Sequence, residues 1–244
     1  MQKKSWVFIV LFFISAIAFY YFSLREGTAA SQTSVTQNVP KQMTSEEAKE
    51  TLEKIYEGIS GFGIPEQEVK FIKKSGGAPT YGEIKFESAQ QLLDYFNPTE
   101  NDVFYDLGSG VGKFVLHAYL AKNIKKSCGI ELSGTRYEFA VKALGSAKKL
   151  GVFDPKREVS FLNDDIVNAP FDDATIIFMC ATCYSDELME KIAEKLIKVG
   201  PGLRIATLRE FKERPTLKKI ETLKLPMTWS ESSPVYIYEV VSIK

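Results

Sequence analysis

The stretch that decides the fold is Val103-Phe-Tyr-Asp-Leu-Gly-Ser-Gly-Val-Gly-Lys113, an apolar run that passes into a glycine-rich turn. The run predicts a short buried strand that ends at Asp106, and residues 114–121 predict a helix. Glycines at alternate positions of the turn allow positive φ and close approach of the backbone to a ligand. Free amides at the start of the helix can also bind a ligand. The stretch therefore predicts a binding site at the carboxyl end of the strand.

The rest of the chain continues this alternation of strands and helices. After predicted helices at 45–56 and 88–96, apolar runs predict five strands, which are separated by helical patterns. These strands lie at 103–106, 128–131, 159–162, 175–179 and 203–207, and the helices at 114–121, 136–150 and 186–198. Two last strands, 220–225 and 235–241, lack a long helix between them and should pair antiparallel. The pattern predicts an α/β fold with a Rossmann-like, seven-stranded class I methyltransferase sheet and an antiparallel final hairpin.

The spacing of the glycines indicates which cofactor the turn binds. A dinucleotide fingerprint, G-x-G-x-x-G, would need glycine at position 113, where this chain has lysine. The observed acid-x-G-x-G-x-G pattern suits a cofactor without a pyrophosphate, and we expect S-adenosyl-L-methionine. Asp106 would hold its ammonium group, directly or through water. The turn residues expected at the cofactor are Gly108, Ser109, Gly110, Gly112 and Lys113.

Acidic residues at the ends of the next two strands support this prediction. Glu131 ends the second strand, where a carboxylate can accept both ribose hydroxyls. Asp164 and Asp165 follow the third strand, where a side chain could receive the adenine amino group. A glycine-rich turn alone is also common as a structural feature of βα units. Its combination with Asp106, Glu131 and these two acids favours the cofactor site.

Composition and charge exclude several classes of function. The chain has 244 residues with 31 basic and 31 acidic side chains. Residues 1–25 hold three of the basic and none of the acidic ones, which leaves 28 against 31 and a net charge of −3. This balance argues against a nucleic-acid-binding protein. One histidine, His117, and three cysteines argue against a histidine-rich metal site and a disulfide scaffold.

The first 26 residues contain a long apolar run, 6–22, with aromatic residues near both ends. Its length predicts a retained transmembrane helix and a single-pass membrane protein. A cleaved signal peptide, with a cleavage site at Thr28-Ala-Ala30, and a buried core helix are the alternatives. The flanking charges would send the domain across the membrane, away from a cytosolic methyl donor, so the side of the membrane stays open.

Several motifs in the soluble part resemble one known family. They are Thr80-Tyr-Gly-Glu83, Asp106-Leu-Gly-Ser-Gly-Val-Gly112, Gly129-Ile-Glu131 and a final hairpin with Met227-Thr-Trp229 and Pro234-Val-Tyr-Ile-Tyr238. Together they resemble the disruptor-of-telomeric-silencing family, the non-SET histone lysine methyltransferases.

This resemblance covers about residues 75–244 and implies methyl transfer from S-adenosylmethionine to a protein lysine. It implies that the segment with Tyr81 and Glu83 closes over the cofactor and that the final hairpin helps to shape a lysine channel. The expected organisation is an anchor (1–26), a tether (27–44), a helical region with the cofactor-closing loop (45–98) and a methyltransferase domain (99–244).

The chain departs from the family pattern near the expected reacting groups. Lys113 stands where the family usually has glutamine, and Cys180-Ala-Thr-Cys-Tyr184 replaces an Asn-Asn-Phe segment. We expect Tyr81, Tyr184 and Tyr238 to line a dry aromatic channel, in which an amine acceptor is held uncharged. A core position is the alternative for each tyrosine, and for Tyr238 above all.

The Cys180-x-x-Cys183 pair lacks the second pair of ligands that a structural zinc site needs. It also lies outside the context of a thioredoxin-type motif. We therefore expect Cys180 in the wall of the cofactor pocket, with a disulfide only in an oxidising compartment.

Three functional hypotheses follow from the sequence. The first is a membrane-tethered protein methyltransferase that acts on a lysine side chain. The second is a methyltransferase with a small or lipid-like acceptor near the membrane. The third is a catalytically silent methyltransferase fold that serves as a binding module. The mildly acidic charge argues against nucleic acid or nucleosomes as partners.

Overall fold

The computed structural model describes residues 42–243, which belong to one compact unit. A seven-stranded sheet with strand order β3-β2-β1-β4-β5-β7-β6 lies at its centre. The strands are β1 (Val103–Leu107), β2 (Lys126–Glu131), β3 (Glu158–Asn163), β4 (Ile176–Met179), β5 (Arg204–Thr207), β6 (Leu217–Met227) and β7 (Ser230–Val240). The helices are α1 (Ser45–Ile55), α2 (Glu66–Lys74), α3 (Phe86–Phe96), α4 (Lys113–Ala121), α5 (Gly134–Lys149) and α6 (Asp186–Val199).

The predicted sheet is confirmed. Strands β1 to β5 pair in parallel, and β7 pairs antiparallel with both β5 and β6. Strand β1 lies in the middle, with β2 on one side and β4 on the other. The order of the strands reverses at this point, and the reversal opens a crevice at their carboxyl ends. The glycine-rich turn after β1 lies at this crevice.

Burial on both faces of the sheet explains why β1 and β4 are continuous apolar runs rather than alternating ones. All residues of both strands are buried. Phe104 packs in the core cluster that includes α1, α3 and α4, whereas Tyr105 packs in the cluster that includes α6. A layer of helices therefore covers each face of the sheet. These two layers fix the orientation of β1 and so the position of the glycine-rich turn that follows it.

Helix α2 is an element that sequence reasoning missed. Its nine residues, EQEVKFIKK, are mostly charged, and Ile72 is the buried one among them. A single buried position gives too weak a periodicity to predict a helix. The helix nevertheless supports the functional site through Glu68. Helix α1, in contrast, begins with a capping box between Thr44 and Glu47 and was predicted.

The predicted localisation of a single-pass membrane protein is corrected. No helix in residues 42–243 is long and apolar enough to cross a membrane. The longest, α5, has 16 residues, about 24 Å at 1.5 Å per residue, against a hydrocarbon core of about 30 Å. The run predicted as the anchor, within 1–26, and most of the predicted tether, 27–44, lie outside the described residues.

Deletion of a buried side chain in the central sheet should destabilise the fold strongly. Ile177 of β4 is fully buried, so Ile177→Ala should lower the free energy of unfolding by about 2–5 kcal/mol through lost burial and a residual cavity. Ile220 of β6 is 46% exposed and serves as the matched control. Chemical denaturation should show a far smaller loss for Ile220→Ala, and equal losses would contradict the assigned core.

Candidate functional site

A cavity of about 260 Å³ opens at the carboxyl ends of the central strands. It is bounded by the turns after β1 and β2, the loops after β3 and β4, and residues that precede α3. Eleven of the predicted site residues line it: Tyr81, Glu83, Asp106, Gly108, Ser109, Gly110, Lys113, Glu131, Asp165, Cys180 and Tyr184. Three others, Gly112, Asp164 and Tyr238, do not.

The glycine-rich turn forms the floor of the cavity. Gly108, Gly110 and Gly112 have φ values of +87°, +56° and +83°, which L side chains rarely adopt. A Cβ atom on Gly108 would lie 2.4 Å from the Tyr184 hydroxyl, and one on Gly110 would lie 2.8 Å from the Tyr81 ring. Both glycines are therefore required for the close approach of the turn and the cavity walls. Gly112 has a packing role instead, because its backbone contacts the ring of Phe161.

Asp106 is the most constrained charged group in the cavity. Its side chain is buried, and among the described residues no donor reaches its Oδ1 oxygen. Burial, and then the charge of Glu131, raise the pKa of this carboxyl well above its ordinary value. A buried carboxylate without a partner costs about 1–3 kcal/mol or more. A cationic or hydrogen-bond-donating ligand in the cavity would remove that cost.

Glu131 joins the two turns on either side of the crevice. Its Oε2 accepts a hydrogen bond from the Gly110 amide, and its Oε1 accepts one from the Ser133 amide, each at 2.8 Å. Burial raises the pKa of this carboxyl as well. A carboxylate has about four lone-pair sites, so these two bonds leave room for hydroxyl groups of a ligand. The position fits the predicted contact with a ribose.

The loop after β3 contributes one of its two predicted acids to the cavity. Asp165 lines the cavity, and its Oδ1 accepts a hydrogen bond from the Val167 amide at 2.9 Å. The Asp164 carboxylate instead accepts a hydrogen bond from the Asp165 amide at 2.7 Å. The Lys195 ammonium of α6 donates to backbone carbonyls of this loop and fixes its path.

The segment before α3 closes one side of the cavity through a linked set of polar contacts. The Tyr81 hydroxyl donates to Glu83 Oε1 at 2.5 Å, and Lys113 Nζ donates to Glu83 Oε2 at 2.7 Å. Burial and the Glu83 carboxylate raise the pKa of the Tyr81 phenol, which therefore stays a donor. The Glu83 backbone pairs with Thr228 of the final hairpin. Lys113 thus connects α4 to the closing segment.

Arg136 is a site residue that sequence reasoning missed. It lines the cavity and is 5% exposed. Its Nε donates to the Gly61 carbonyl at 3.0 Å and its Nη2 to the Pro79 carbonyl at 2.6 Å, while its guanidinium lies 5.0 Å from the centre of the Tyr81 ring. A cation in the first turn of a helix opposes the helix dipole. That placement is the signal in the sequence that could have identified it.

Glu68 of α2 is a second missed residue, and it supports the site from outside the cavity. Its carboxylate accepts hydrogen bonds from the Ser133 hydroxyl at 2.5 Å and from the Thr135 hydroxyl at 2.7 Å. These residues form the start of α5, where a negative charge is favourable. Because Ser133 also donates to Glu131, α2 holds the turn that positions the Glu131 carboxylate.

The loop after β4 forms the wall opposite the closing segment. Cys180 is half-buried, and burial raises the pKa of its thiol to about 11. Cys183 is exposed, and both cysteines carry free thiols. Tyr184 lies against the glycine-rich turn, and burial raises the pKa of its phenol. Within residues 42–243 no cluster of His, Cys, Asp or Glu side chains could hold a metal ion.

Tyr238 lies away from the cavity. It is buried in the core cluster on the α6 side of the sheet, and its hydroxyl accepts a hydrogen bond from the Phe211 amide at 3.1 Å. Its position on β7 places it opposite Ile205 of β5. The alternative of a core aromatic fits this position, and we remove Tyr238 from the residues expected at the acceptor channel.

Comparison with protein families gives one match that covers most of the described residues. The model of the family described as "Histone methylation protein DOT1" matches residues 73–232. The match includes the closing segment, the glycine-rich turn and the start of the final hairpin.

Two curated relatives differ in length. A Caenorhabditis elegans protein named "Histone-lysine N-methyltransferase, H3 lysine-79 specific" is 34% identical over 146 residues, which are 57% of this chain but 15% of that protein. A "Protein-lysine N-methyltransferase" of Saccharolobus islandicus is 26% identical over 151 residues, which are 62% of this chain and 87% of that protein. The chain thus spans nearly all of one relative and a small part of the other.

Solved structures agree with the fold. An RNA methyltransferase from Salinibacter ruber in complex with S-adenosyl-L-homocysteine has a TM-score of 0.50 and 25% identity, over 64% of this chain and 92% of that chain. The B. subtilis tRNA methyltransferase TrmK has a TM-score of 0.50 and 15% identity, over 63% of this chain and 65% of that chain. The second likeness concerns the fold alone.

The buried Asp106 carboxyl should make the stability of the ligand-free protein depend on pH. Its pKa is higher in the folded than in the unfolded state, where it is about 3.9. The folded state therefore binds the proton more tightly, and the free energy of unfolding should fall as the pH rises above about 4. Asp106→Asn should abolish the part of this pH dependence that comes from Asp106. At neutral pH its free energy of unfolding should exceed that of the wild type by about 1–3 kcal/mol.

Denaturant titrations across the pH range would measure this effect. Asp172 is an exposed acid in the loop before β4, and Asp172→Asn is the matched control that should follow the wild type. Identical pH profiles for wild type and Asp106→Asn would contradict the assignment of Asp106 as a destabilised buried carboxyl.

Proposed function

Because the chain belongs to the histone methylation protein DOT1 family, we propose that it transfers methyl groups to lysine side chains of a protein. The family match covers 160 of its 244 residues, from 73 to 232. The chain is an S-adenosyl-L-methionine-dependent methyltransferase.

The residues of the cavity fit S-adenosylmethionine. We assign Asp106, whose Oδ1 no described residue reaches, to the ammonium group of the cofactor. Glu131 would hold the ribose hydroxyls, and Asp165 would hold the adenine amino group. Asp164 is left out, because its carboxylate is engaged with the backbone and lies outside the cavity.

The glycine-rich turn and the closing segment would orient the cofactor between them. Gly108 and Gly110 leave the room for this, since a Cβ at either position would collide with a cavity wall. Lys113 and Arg136 hold the closing segment in place through Glu83 and the Pro79 carbonyl. When bound, the cofactor supplies an electrophilic methyl group on its sulfonium.

We propose that two tyrosines receive the acceptor amine. Tyr81 and Tyr184 lie on opposite walls of the cavity and close on the same turn, at Gly110 and Gly108. An amine must be uncharged to accept a methyl group, and a dry aromatic wall disfavours its ammonium form. Alignment of acceptor and donor with exclusion of water is the main contribution of such a site. Trp229, which packs on the Gly82 backbone and is about half exposed, forms the rim.

One relative supports a protein lysine as the acceptor. The relative from S. islandicus, which is named a protein-lysine methyltransferase, is matched over 87% of its length. The acids of the cavity carry no information on the acceptor, because Asp106, Glu131 and Asp165 are assigned to the cofactor and Glu83 is paired with Tyr81 and Lys113. The net charge of −3 outside residues 1–25 gives no support to a nucleosomal acceptor.

The proposed cofactor contacts predict a large loss of affinity on removal of one charge. Asp106→Asn should weaken binding of S-adenosylhomocysteine, which carries the same ammonium, by about 10- to 100-fold. A hydrogen bond to a charged group contributes about 1.5–3 kcal/mol. Isothermal titration calorimetry on the full-length chain would measure this, with Asp172→Asn as the control that keeps wild-type affinity. Equal affinities of all three proteins would refute the role of Asp106.

The acceptor can be identified with a radiolabelled methyl donor. The full-length chain, incubated with labelled S-adenosylmethionine and cell fractions, should label protein, and peptide mass spectrometry should place the methyl group on lysine. Label in the lipid extract would favour a lipid-like acceptor. Binding of S-adenosylhomocysteine without transfer of any label would favour a catalytically silent binding module. The altered loop at Cys180 is the feature that supports this alternative. Either of these results would overturn the proposed lysine acceptor.

A further inference from the structure

We propose that Cys180 and Cys183 form a thiol pair that a hydroperoxide converts to a disulfide, and that this modification blocks the acceptor side of the cavity. The blocking rests on the proposed function, because it requires that Tyr184 and its neighbours receive the acceptor. The formation of the disulfide does not. Both cysteines line the cavity, and both are free thiols.

The local backbone brings the two cysteines together. The Tyr184 amide donates to the Ala181 carbonyl at 3.1 Å, so residues 181–184 form a tight turn. The turn begins directly after Cys180 and contains Cys183, so the chain bends between the two cysteines. A disulfide requires such a bend, because it spans Cα distances of about 4.4–6.8 Å. Thr182 is next to both thiols, because its hydroxyl donates to Cys183 Sγ at 3.7 Å and its side chain also lies close enough to Cys180 to influence the pKa of that thiol.

The two thiols differ in their access to solvent, which assigns them different roles. Cys183 is exposed and can meet a dissolved hydroperoxide. Cys180 is half-buried, and burial raises the pKa of its thiol, so it stays protonated and reacts second. The third cysteine, Cys128, is buried in the core on β2 and is 1% exposed. It provides an internal control that a hydroperoxide does not reach.

The chemistry balances with the hydroperoxide as the oxidant. The Cys183 thiolate attacks one peroxide oxygen, the O–O bond breaks, and the other oxygen takes a proton and leaves as an alcohol or water. The resulting sulfenic acid is then attacked by the Cys180 sulfur, which loses its proton as the S–S bond forms and water leaves. The two thiols lose two electrons in total, and the peroxide gains them.

The fixed ends of the loop determine where the new bond acts. On one side the loop follows Met179 of β4, which pairs with Thr207 of β5. On the other side the Ser185 amide donates to the Gly76 carbonyl at 2.8 Å, and the Ser185 hydroxyl caps α6. When a disulfide forms between Cys180 and Cys183, the backbone can therefore change conformation only between these two fixed ends.

The residue displaced by this closure is Tyr184. A Cβ atom on Gly108 would lie only 2.4 Å from its hydroxyl, so the side chain already packs against the turn and has little free space on that side. Tyr184 must instead shift into the cavity, on the side opposite Tyr81. Asp106 and Glu131 belong to other strands and keep their positions, so cofactor binding should be retained.

Peptide mapping and activity measurements on the full-length chain would test this proposal. The reduced protein is treated with hydrogen peroxide, denatured, alkylated with iodoacetamide and digested. The peptide with Cys180 and Cys183 should be lighter by two hydrogens and carry no alkyl group, whereas Cys128 should be alkylated. Methyl transfer to protein lysine should fall by about 10²-fold, the scale expected for a misplaced reacting group, and return with dithiothreitol. Affinity for S-adenosylhomocysteine should be retained.

Two variants separate this effect from general oxidative damage. Cys183→Ser should have the same rate before and after peroxide, whatever that rate is. Cys128→Ser should stay as sensitive to peroxide as the wild type. Alkylation of both Cys180 and Cys183 after peroxide, or full peroxide sensitivity of Cys183→Ser, would overturn the proposal. If the reduced chain transfers no methyl group, the proposed function fails, while the mapping still decides whether the disulfide forms.

Discussion

The carboxylate pair of Asp106 and Glu131 is the constraint on which the rest of the site depends. Both groups are buried at the carboxyl ends of adjacent strands, and burial raises the pKa of each. Glu131 is stabilised by two backbone amides, from Gly110 and Ser133, whereas no described donor reaches Asp106 Oδ1. The fold thus keeps one carboxyl satisfied and the other available. This asymmetry fits the proposed cofactor, which has a cation near a diol.

Both the sheet and the segments that precede it in the chain contribute to this site. Strand β1, buried on both faces, delivers the glycine-rich turn to the crevice beside β4. The residues before α3 then cover the crevice, held by the hydrogen bond from Arg136 to the Pro79 carbonyl and by the Lys113–Glu83 ion pair. Glu68 of α2 supports the turn that carries Glu131 through Ser133. The cofactor site is therefore not a property of the sheet alone.

The sequence contained enough information to predict the sheet and the inner part of the site, because both follow from local patterns. Apolar runs and turn glycines predicted seven strands in the observed arrangement, and strand ends located Asp106 and Glu131. Helix α2 was missed because its single buried position gives too weak a periodicity, and Arg136 was missed because its partners at Gly61 and Pro79 are distant in the chain. Tyr238 was misplaced because an aromatic on a strand can face either side of a sheet. The membrane localisation was wrong, and composition alone could not have corrected it.

Proton release on binding of S-adenosylhomocysteine tests the central claim most directly. If Asp106 is protonated in the free protein and pairs with the ligand's ammonium group, binding must lower its pKa and release a proton. Calorimetric titrations in buffers of different ionisation enthalpy would measure this number. We predict a net release from the wild type that is lost in Asp106→Asn. Binding with the same proton linkage in both proteins would contradict the account.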